Sequence, residues 1–205
     1  MMNLIEKALR SSTATVHEAL STGGPKRGAL PSAIQTATGL RLCGPAFPLV
    51  CAPGSNLQLH RAIVAAEPGS VLVAYTGGDF EHGYWGEVMA VAAMARNIAG
   101  LVIDAGVRDV QAMTRLGFPV FARGACIRGT SKIEGGSVGE PIMIGETSIT
   151  RGDLIFGDEE GVVCVPASEA ARAINCALQR DAEESDIFAR LRKGASTLEI
   201  YNLPG

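Results

Sequence analysis

The stretch 83–109, GYWGEVMAVAAMARNIAGLVIDAGVRD, constrains the fold more than any other part of the chain. Gly86-Glu87 opens a helix, and residues 88–98 carry it with Ala, Met and Val on almost every side, which predicts a helix buried nearly all round. Gly100 ends it. Leu101-Val102-Ile103 is a short apolar run of the kind that forms a buried strand. Residues 104–109, DAGVRD, read as a polar loop at the carboxyl end of that strand, leading into a second helix from Val110. Helix, strand, loop and helix in this order predict an α/β fold with a mixed sheet, and open α/β sheets place ligands at the carboxyl ends of their strands. A helix start at Gly86 offers free backbone N–H groups to a carboxylate or phosphate. With Arg108 and Asp109, the stretch supplies an anion cradle, a cation and a carboxylate of the kind that binds metal.

A chain of 205 residues predicts one domain, 1–205, with a substantial core. Lys and Arg are scattered without a basic run, and the formal net charge is −3, which argues against nucleic acid as a partner. No stretch is long and apolar enough to span a membrane, and the first residues are too charged for a signal peptide. Cys43, Cys51, Cys126, Cys164 and Cys176 are widely spaced, include no CxxC pair, and with three histidines do not make a usual zinc finger. They read as buried, reduced thiols in a cytoplasmic protein.

The flanking chain alternates in the same way. Residues 4–9 and 14–20 predict short helices. Thr13, Thr15, Val16 and His17 form a polar cluster near a site or, more simply, Ser12 and Thr13 cap the second helix. Residues 39–43 and 46–51 read as two short strands or one bent strand about Gly44-Pro45. Pro53-Gly54-Ser55-Asn56 is a turn before an amphipathic helix at 57–66, on which His60 reads as a surface or satisfied buried residue. Residues 71–75 predict a strand closed by a Gly-Gly loop ending at Asp79. Residues 110–116 are helical, 119–123 form a strand, and 138–150 form short strands. Residues 152–166 read as a β-hairpin whose acidic turn, Asp158-Glu159-Glu160, is a solvated tip rather than a metal site. Ser168 caps a long helix running to about Lys193.

In this order, TATVHEAL, GPAFPLVCAPGSNLQLHRAI, GEVMAVAAMARNIAGLVIDAGVRDV, GFPVFARG and RGDLIFGDEEGVVCVP resemble one family. It contains 4-hydroxy-4-methyl-2-oxoglutarate aldolase, the 4-carboxy-4-hydroxy-2-oxoadipate aldolases and the regulator of ribonuclease E activity A. The resemblance covers nearly the whole chain, and the Gly-Glu and Gly-x-x-Arg-Asp motifs carry its specificity. It implies a layered α/β/β/α sandwich of the swivelling phosphohistidine-domain type with mixed sheets. It also implies homotrimers, or hexamers of stacked trimers, with sites between subunits, and a class II aldolase using Mg²⁺ or Mn²⁺. On this resemblance Asp109 matches the metal-ligating aspartate and Arg108 the adjacent arginine. Glu87 matches the acidic residue that meets the metal through water, and the amides of Gly86, Glu87, Val88 and Met89 match the cradle for a pyruvyl carboxylate. Lys132 matches the active-site lysine. Glu184, or else Glu183, matches an acidic residue that the carboxy-terminal helix contributes to a neighbouring subunit.

The residue types suit that chemistry. Retro-aldol cleavage of a 4-hydroxy-2-oxo acid removes the 4-hydroxyl proton and stabilises a pyruvate enolate. A hard divalent cation held by one or two carboxylates keeps several waters and acts as a Lewis acid. The permanently charged Arg108 suits the enolate oxygen. Oxaloacetate decarboxylation is expected as a side activity because it passes through the same enolate. Plainer readings stand beside these. Asp109 could be the N-cap of the next helix, with Arg108 paired to a surface carboxylate, and the helix dipole favours Glu87 in any case. Lys132 is an exposed lysine or a contact for the distal carboxylate, and its glycine-rich, polar setting gives no sign of a Schiff base. Tyr84, Trp85, His82 and Arg128 are nearby candidates for the distal end of the substrate. The rival reading is the family branch that binds and inhibits an endoribonuclease and tends to lack part of this constellation. Retention of Glu87, Arg108, Asp109 and Lys132 favours the enzyme. A methyltransferase reading fails because the chain does not start with a glycine-rich strand–loop–helix for S-adenosylmethionine.

Overall fold

The computed structural model describes residues 3–204. Helices α1 (Leu4–Ala8) and α2 (Thr13–Leu20) precede strands β1 (Gln35–Thr36) and β2 (Leu42–Cys51). Next come α3 (Leu57–Ala65), β3 (Val71–Tyr75), α4 (Glu87–Met94), β4 (Gly100–Ile103), β5 (Gly106–Val107), α5 (Val110–Leu116) and β6 (Val120–Ala122). The short strands β7 (Gly124–Ala125), β8 (Gly136–Val138), β9 (Ile142–Ile144) and β10 (Thr147–Ile149) lead to the hairpin β11 (Leu154–Asp158) and β12 (Gly161–Val165). Helices α6 (Ala170–Arg192) and α7 (Thr197–Tyr201) finish the fold.

Eight strands make one mixed sheet in the order β1-β6-β4-β3-β2-β11-β12, with β8 also on β2. Strands β2, β3, β4 and β6 are parallel, and the remaining pairs are antiparallel. Ala29 bridges Val163 and β1 touches β12, so the sheet nearly closes on itself.

Side-chain alternation along the strands decides the layers. In β3, Leu72 and Ala74 face a core built with Leu59 and Ile63 of α3, Met89 and Ala93 of α4 and Met113 of α5. Val71 and Val73 point the other way, into an interior shared with Phe121, Ile155 and the β9–β10 residues Ile142, Ile144 and Ile149. A third core lies outside β11 and β12, where Phe156, Val163 and Val165 meet Val16, Leu20 and Ile174. Helices α3, α4 and α5 therefore cover one outer face, and α1, α2 and α6 the other.

Several expectations need correction. Of the two readings of residues 39–51, the structure takes the single strand, over 42–51. It accommodates Pro45 and Pro48 because its partner changes there: β11 pairs as far as Pro45 and β8 takes over from Leu49. Helix α4 stops at Met94, short of Ile98, because Asn97 turns left-handed (φ 57°) and the Ile98 N–H bonds back to the Ala93 carbonyl. Nor is α4 buried all round: Val88 is 81 % exposed, and Val91 and Met94 are exposed too. Residues 104–107 are not a solvated loop, since all four are buried and β5 pairs with β7. Glu169, not Ser168, holds the N-cap position of α6, without a side-chain cap. The acidic turn is a solvated tip at Glu159 and Glu160, as expected, but not at Asp158. Asp158 is buried and accepts from Thr13 N–H at 2.8 Å and Thr13 Oγ1 at 2.6 Å, while Ser12 caps α2. Burial pushes the thiols of Cys43, Cys51 and Cys164 up to about 12, but Cys126 is only partly buried and Cys176 is exposed. Among the described residues no helix is long and apolar enough to cross a membrane.

Candidate active site

The loops that follow three neighbouring parallel strands converge. The turn after β2 carries Asn56, the loop after β3 runs to Gly86 at the start of α4, and the segment after β4 ends at Arg108-Asp109. With Lys132 they enclose a cavity of about 250 Å³, whose lining also includes His60, Tyr84, Trp85, Val88 and Met89.

Asp109 is the unusual residue. Its backbone is left-handed (φ 56°, ψ 32°) although it is not glycine and stands at the beginning of a helix. Among the described residues, the other non-glycine positions with positive φ are Asn97 and Asn202, both just past helix ends, where that conformation is ordinary. A left-handed L-residue costs about 1–2 kcal/mol. The surroundings hold it: Arg108 N–H donates to the Trp85 carbonyl at 2.8 Å, and Met113 N–H to the Asp109 carbonyl at 3.1 Å. Asp109 occupies the N-cap position of α5, yet its side chain caps nothing there. Oδ2 instead turns toward α4 and accepts the Glu87 N–H at 3.2 Å, with Arg108 Nε at 3.6 Å. Oδ1 has no hydrogen-bond partner among the described residues. Asp109 thus holds the N-cap position without capping through its side chain, and the carboxylate beside Arg108 is Asp109 itself rather than a separate surface one. A Cβ on Gly86 would lie 2.4 Å from Asp109 Oδ2, so this approach requires glycine.

The cradle is smaller than the four amides expected. Glu87 N–H is taken by Asp109, and Met89 N–H donates to the Gly86 carbonyl at 3.1 Å. The N–H groups of Gly86 and Val88 have no partner among the described residues, and both residues line the cavity. Opposite them, Lys132 Nζ donates to Asn56 Oδ1 at 2.6 Å, and Asn56 Nδ2 donates to the Tyr84 carbonyl at 2.8 Å. Burial, and then the charge of Lys132, lower the pKa of His60, which favours its neutral form. Sequence reasoning assigned neither Asn56 nor His60 to the site. The available signal was their i, i+4 spacing at the carboxyl end of a strand, which sets both on one helical face.

Glu87 does not line this cavity. It borders an adjoining open cleft of about 530 Å³ together with Arg108, Asp109, Gln111 and Arg115. Glu184 lies elsewhere on the chain, in a groove with Ser12, Glu18 and Arg180, where Oε1 accepts from Arg180 Nε at 3.1 Å. Glu183 accepts from Gln179 Nε2 at 2.9 Å. Of the distal candidates, Tyr84 and Trp85 line the cavity. His82 and Arg128 do not, and Arg128 contributes only its carbonyl, which accepts from Gly83 N–H at 2.8 Å.

Among the described residues no group of three His, Cys, Asp or Glu side chains forms a closed metal cage. What the site offers is one carboxylate with a free oxygen on an open wall, and a second carboxylate on the adjoining cleft. That donor set fits Mg²⁺ or Mn²⁺ retaining most of its waters, and does not fit structural zinc.

Asp79, read only as the end of a glycine loop, is an acceptor hub. Its Oδ2 accepts from Gly54 N–H at 2.7 Å, Tyr84 OH at 2.7 Å and His82 Nδ1 at 2.8 Å, and its Oδ1 from Glu81 N–H at 3.1 Å. Burial works against its ionisation, but the Tyr84, His82 and amide donors outweigh it and hold its pKa down to about 2. Burial and the adjacent Asp79 push the Tyr84 phenol up, which keeps it a donor. Because the pKa is depressed from 3.8, the ionised carboxylate stabilises the fold above about pH 4, and that stability is lost as pH falls toward 2. Melting temperature followed by circular dichroism is expected to fall more steeply below about pH 4 in the wild type than in Asp79→Asn.

The sequence that carries these motifs is matched by a family profile. The profile described as RraA-like (Aldolase/RraA) matches residues 13–164, and the chain belongs to this family. The chain is 34 % identical over 144 residues to a Halalkalibacterium halodurans protein named "Putative 4-hydroxy-4-methyl-2-oxoglutarate aldolase", a match covering 70 % of this chain and 69 % of that one. It is 28 % identical over 205 residues to Protein DlpA of Legionella pneumophila, covering 97 % of this chain but only 33 % of DlpA, so it spans about a third of that relative. Its structure is similar to Streptomyces coelicolor RraAS2, described as an unusual member of the RNase ES inhibitor RraA protein family. The TM-score is 0.78 and the identity 28 %, over 92 % of this chain and 97 % of that one.

Proposed function

We propose that the protein is a divalent-metal-dependent aldolase. Its substrate would be 4-hydroxy-4-methyl-2-oxoglutarate or 4-carboxy-4-hydroxy-2-oxoadipate, cleaved to pyruvate and a second oxo acid, with oxaloacetate decarboxylation as a side activity. The observation that carries this reading is Asp109, held left-handed with one carboxylate oxygen free beside Arg108 and two unpaired amides.

Asp109, with Glu87 acting through water, would hold Mg²⁺ or Mn²⁺, which supplies Lewis-acid charge at the keto oxygen. The N–H groups of Gly86 and Val88 bind the pyruvyl carboxylate and fix its orientation. Arg108 donates to the oxygen that becomes the enolate, where negative charge develops. The 4-hydroxyl proton leaves to water beside Glu87. The C3–C4 bond breaks, its electron pair forms the enolate, and C4 becomes the carbonyl of the second product. Protonation at C3 completes pyruvate. Lys132, exposed and bound to Asn56, serves as a fixed cation for the distal carboxylate, not as a desolvated amine.

We read the layers as the α/β/β/α sandwich of the swivelling phosphohistidine-domain type, and the assembly as homotrimers or stacked trimers. Val88, 81 % exposed, and Ile127, 94 % exposed, stand at the rim of the site and its cleft. No side chain of α6 beyond Ala177 is buried. A neighbouring copy against that rim would deliver Glu184 or Glu183 to the site.

Pyruvate release from 4-hydroxy-4-methyl-2-oxoglutarate and from oxaloacetate, each with Mg²⁺ and with EDTA, tests the proposal. Release from both that EDTA abolishes is expected. EDTA-resistant release with borohydride trapping would move the chemistry to Lys132 and overturn the metal mechanism. No turnover by the folded, metal-loaded protein would overturn the enzyme reading in favour of an endoribonuclease-binding regulator.

A further inference from the structure

Asp79 does not line the cavity, yet it joins two of its walls. One wall is the turn that starts at Gly54. The Gly54 carbonyl accepts from Ser131 N–H at 2.7 Å and from Ser131 Oγ at 2.9 Å, and two residues on, Asn56 holds Lys132. The other wall is the strap 82–86, which ends at the free amide of Gly86. Asp79 Oδ2 receives Gly54 N–H from the first wall and Tyr84 OH and His82 Nδ1 from the second. Gly54 N–H is shared with the Tyr84 hydroxyl oxygen at 2.7 Å, so the three groups form a closed triangle. Asn56 Nδ2 on the Tyr84 carbonyl ties the same walls a second time. Tyr84 is fully buried and the Asp79 side chain is 14 % exposed, so water does not readily replace these bonds. Only a carboxylate meets the demand. Three donors converge on one oxygen while the other takes Glu81 N–H, and an amide at this position would turn an NH₂ group toward donors.

We infer that Asp79 is a positioning residue. Through Tyr84 and Gly54 it sets the spacing between the Asn56–Lys132 wall and the Gly86–Val88 amides, and so keeps the two ends of a bound oxo acid in register. The inference rests on the aldolase reading. A carboxylate held on one wall and its distal partner on the other lose alignment when the walls drift, and such misplacement costs rate as well as affinity.

The test compares Asp79→Asn, Tyr84→Phe, the double variant and Thr13→Val in the full chain with Mg²⁺. Thr13→Val removes the 2.6 Å bond to Asp158 at the contact between α2 and β11, away from the cavity. The readouts are melting temperature, kcat and KM for oxaloacetate, and the change that pyruvate produces in the fluorescence of Trp85, the only tryptophan. Asp79→Asn is expected to lower kcat about tenfold and to weaken pyruvate binding by a similar factor. Tyr84→Phe should lose less, and the double variant no more than Asp79→Asn, because both act through one carboxylate. Thr13→Val should lower the melting temperature while kcat and pyruvate affinity stay near wild type. Asp79→Asn that behaves like Thr13→Val overturns the inference. If Asp79→Asn does not fold, Tyr84→Phe decides, and unchanged kcat and pyruvate affinity there overturn it. A wild type that neither binds pyruvate nor turns over overturns the aldolase reading and this inference together. An active wild type with indifferent variants overturns this inference alone.

Discussion

Asp109→Asn is expected to lower kcat for pyruvate release on the order of 10³-fold with little change in melting temperature. Asparagine adopts the left-handed conformation about as readily as aspartate, so the backbone strain at φ 56° is unchanged. Its amide oxygen still accepts the Glu87 N–H, which is 3.2 Å from Oδ2 in the native protein. What disappears is the negative charge beside Arg108 and the second anionic oxygen, the two properties a hard cation needs. Steady-state assays at saturating Mg²⁺ and calorimetric titration with Mn²⁺ check this. Metal affinity and turnover should fall together, and a variant retaining a tenth of wild-type kcat would remove Asp109 from the metal role.

Gly86→Ala adds a single methyl group and is expected to lower kcat/KM about a hundredfold or more. The Gly86 backbone is extended (φ −156°, ψ −170°), a conformation open to any residue, so the effect is purely one of space. The new Cβ would meet Asp109 Oδ2 at 2.4 Å and Arg108 Cγ at 3.2 Å. Relief requires either that the Asp109 carboxylate swing away, releasing Glu87 N–H, or that the start of α4 retreat with its two free amides. Both routes spoil the site. Overpacking of this kind typically costs about 1–3 kcal/mol of stability. Kinetics, thermal unfolding and the pyruvate response of Trp85 would be measured together. Normal kinetics in Gly86→Ala would mean that the contact between α4 and Asp109 has no part in the chemistry.

The two walls that Gly86 and Asp109 provide were legible because they lie within one stretch of sequence, where glycine, an apolar run and an Arg-Asp pair follow one another. Burial of residues 104–107 was not. A two-residue strand has no periodicity, and Gly106 is covered by a segment distant in sequence, so closely that a Cβ there would lie 2.8 Å from the His82 carbonyl. The face of α4 was misread for another reason: a helix apolar all round does not say which side meets its own sheet, and here Val88, Val91 and Met94 face outward. Asn56 and Asp79 looked like turn residues because their partners, Lys132 for one and Gly54 for the other, are remote in sequence. Glu184, named through the resemblance alone, has no local signal that ties it to Asp109, and within one chain it belongs to a separate groove.

The near closure of the sheet also limits how copies of the chain can associate. An open sheet invites a neighbour to add a strand to its rim. Here one rim is β1, only two residues long, and the other is β12. Along β12, Leu30 N–H donates to the Val162 carbonyl at 2.9 Å and Cys164 N–H to the Gly28 carbonyl at 2.8 Å. Two of the β12 backbone groups that would template strand exchange are therefore already spent. Extension of the main sheet is thereby disfavoured at the β12 rim, and the outward apolar row on α4 is a surface on which copies could associate without continuing the sheet into a fibre.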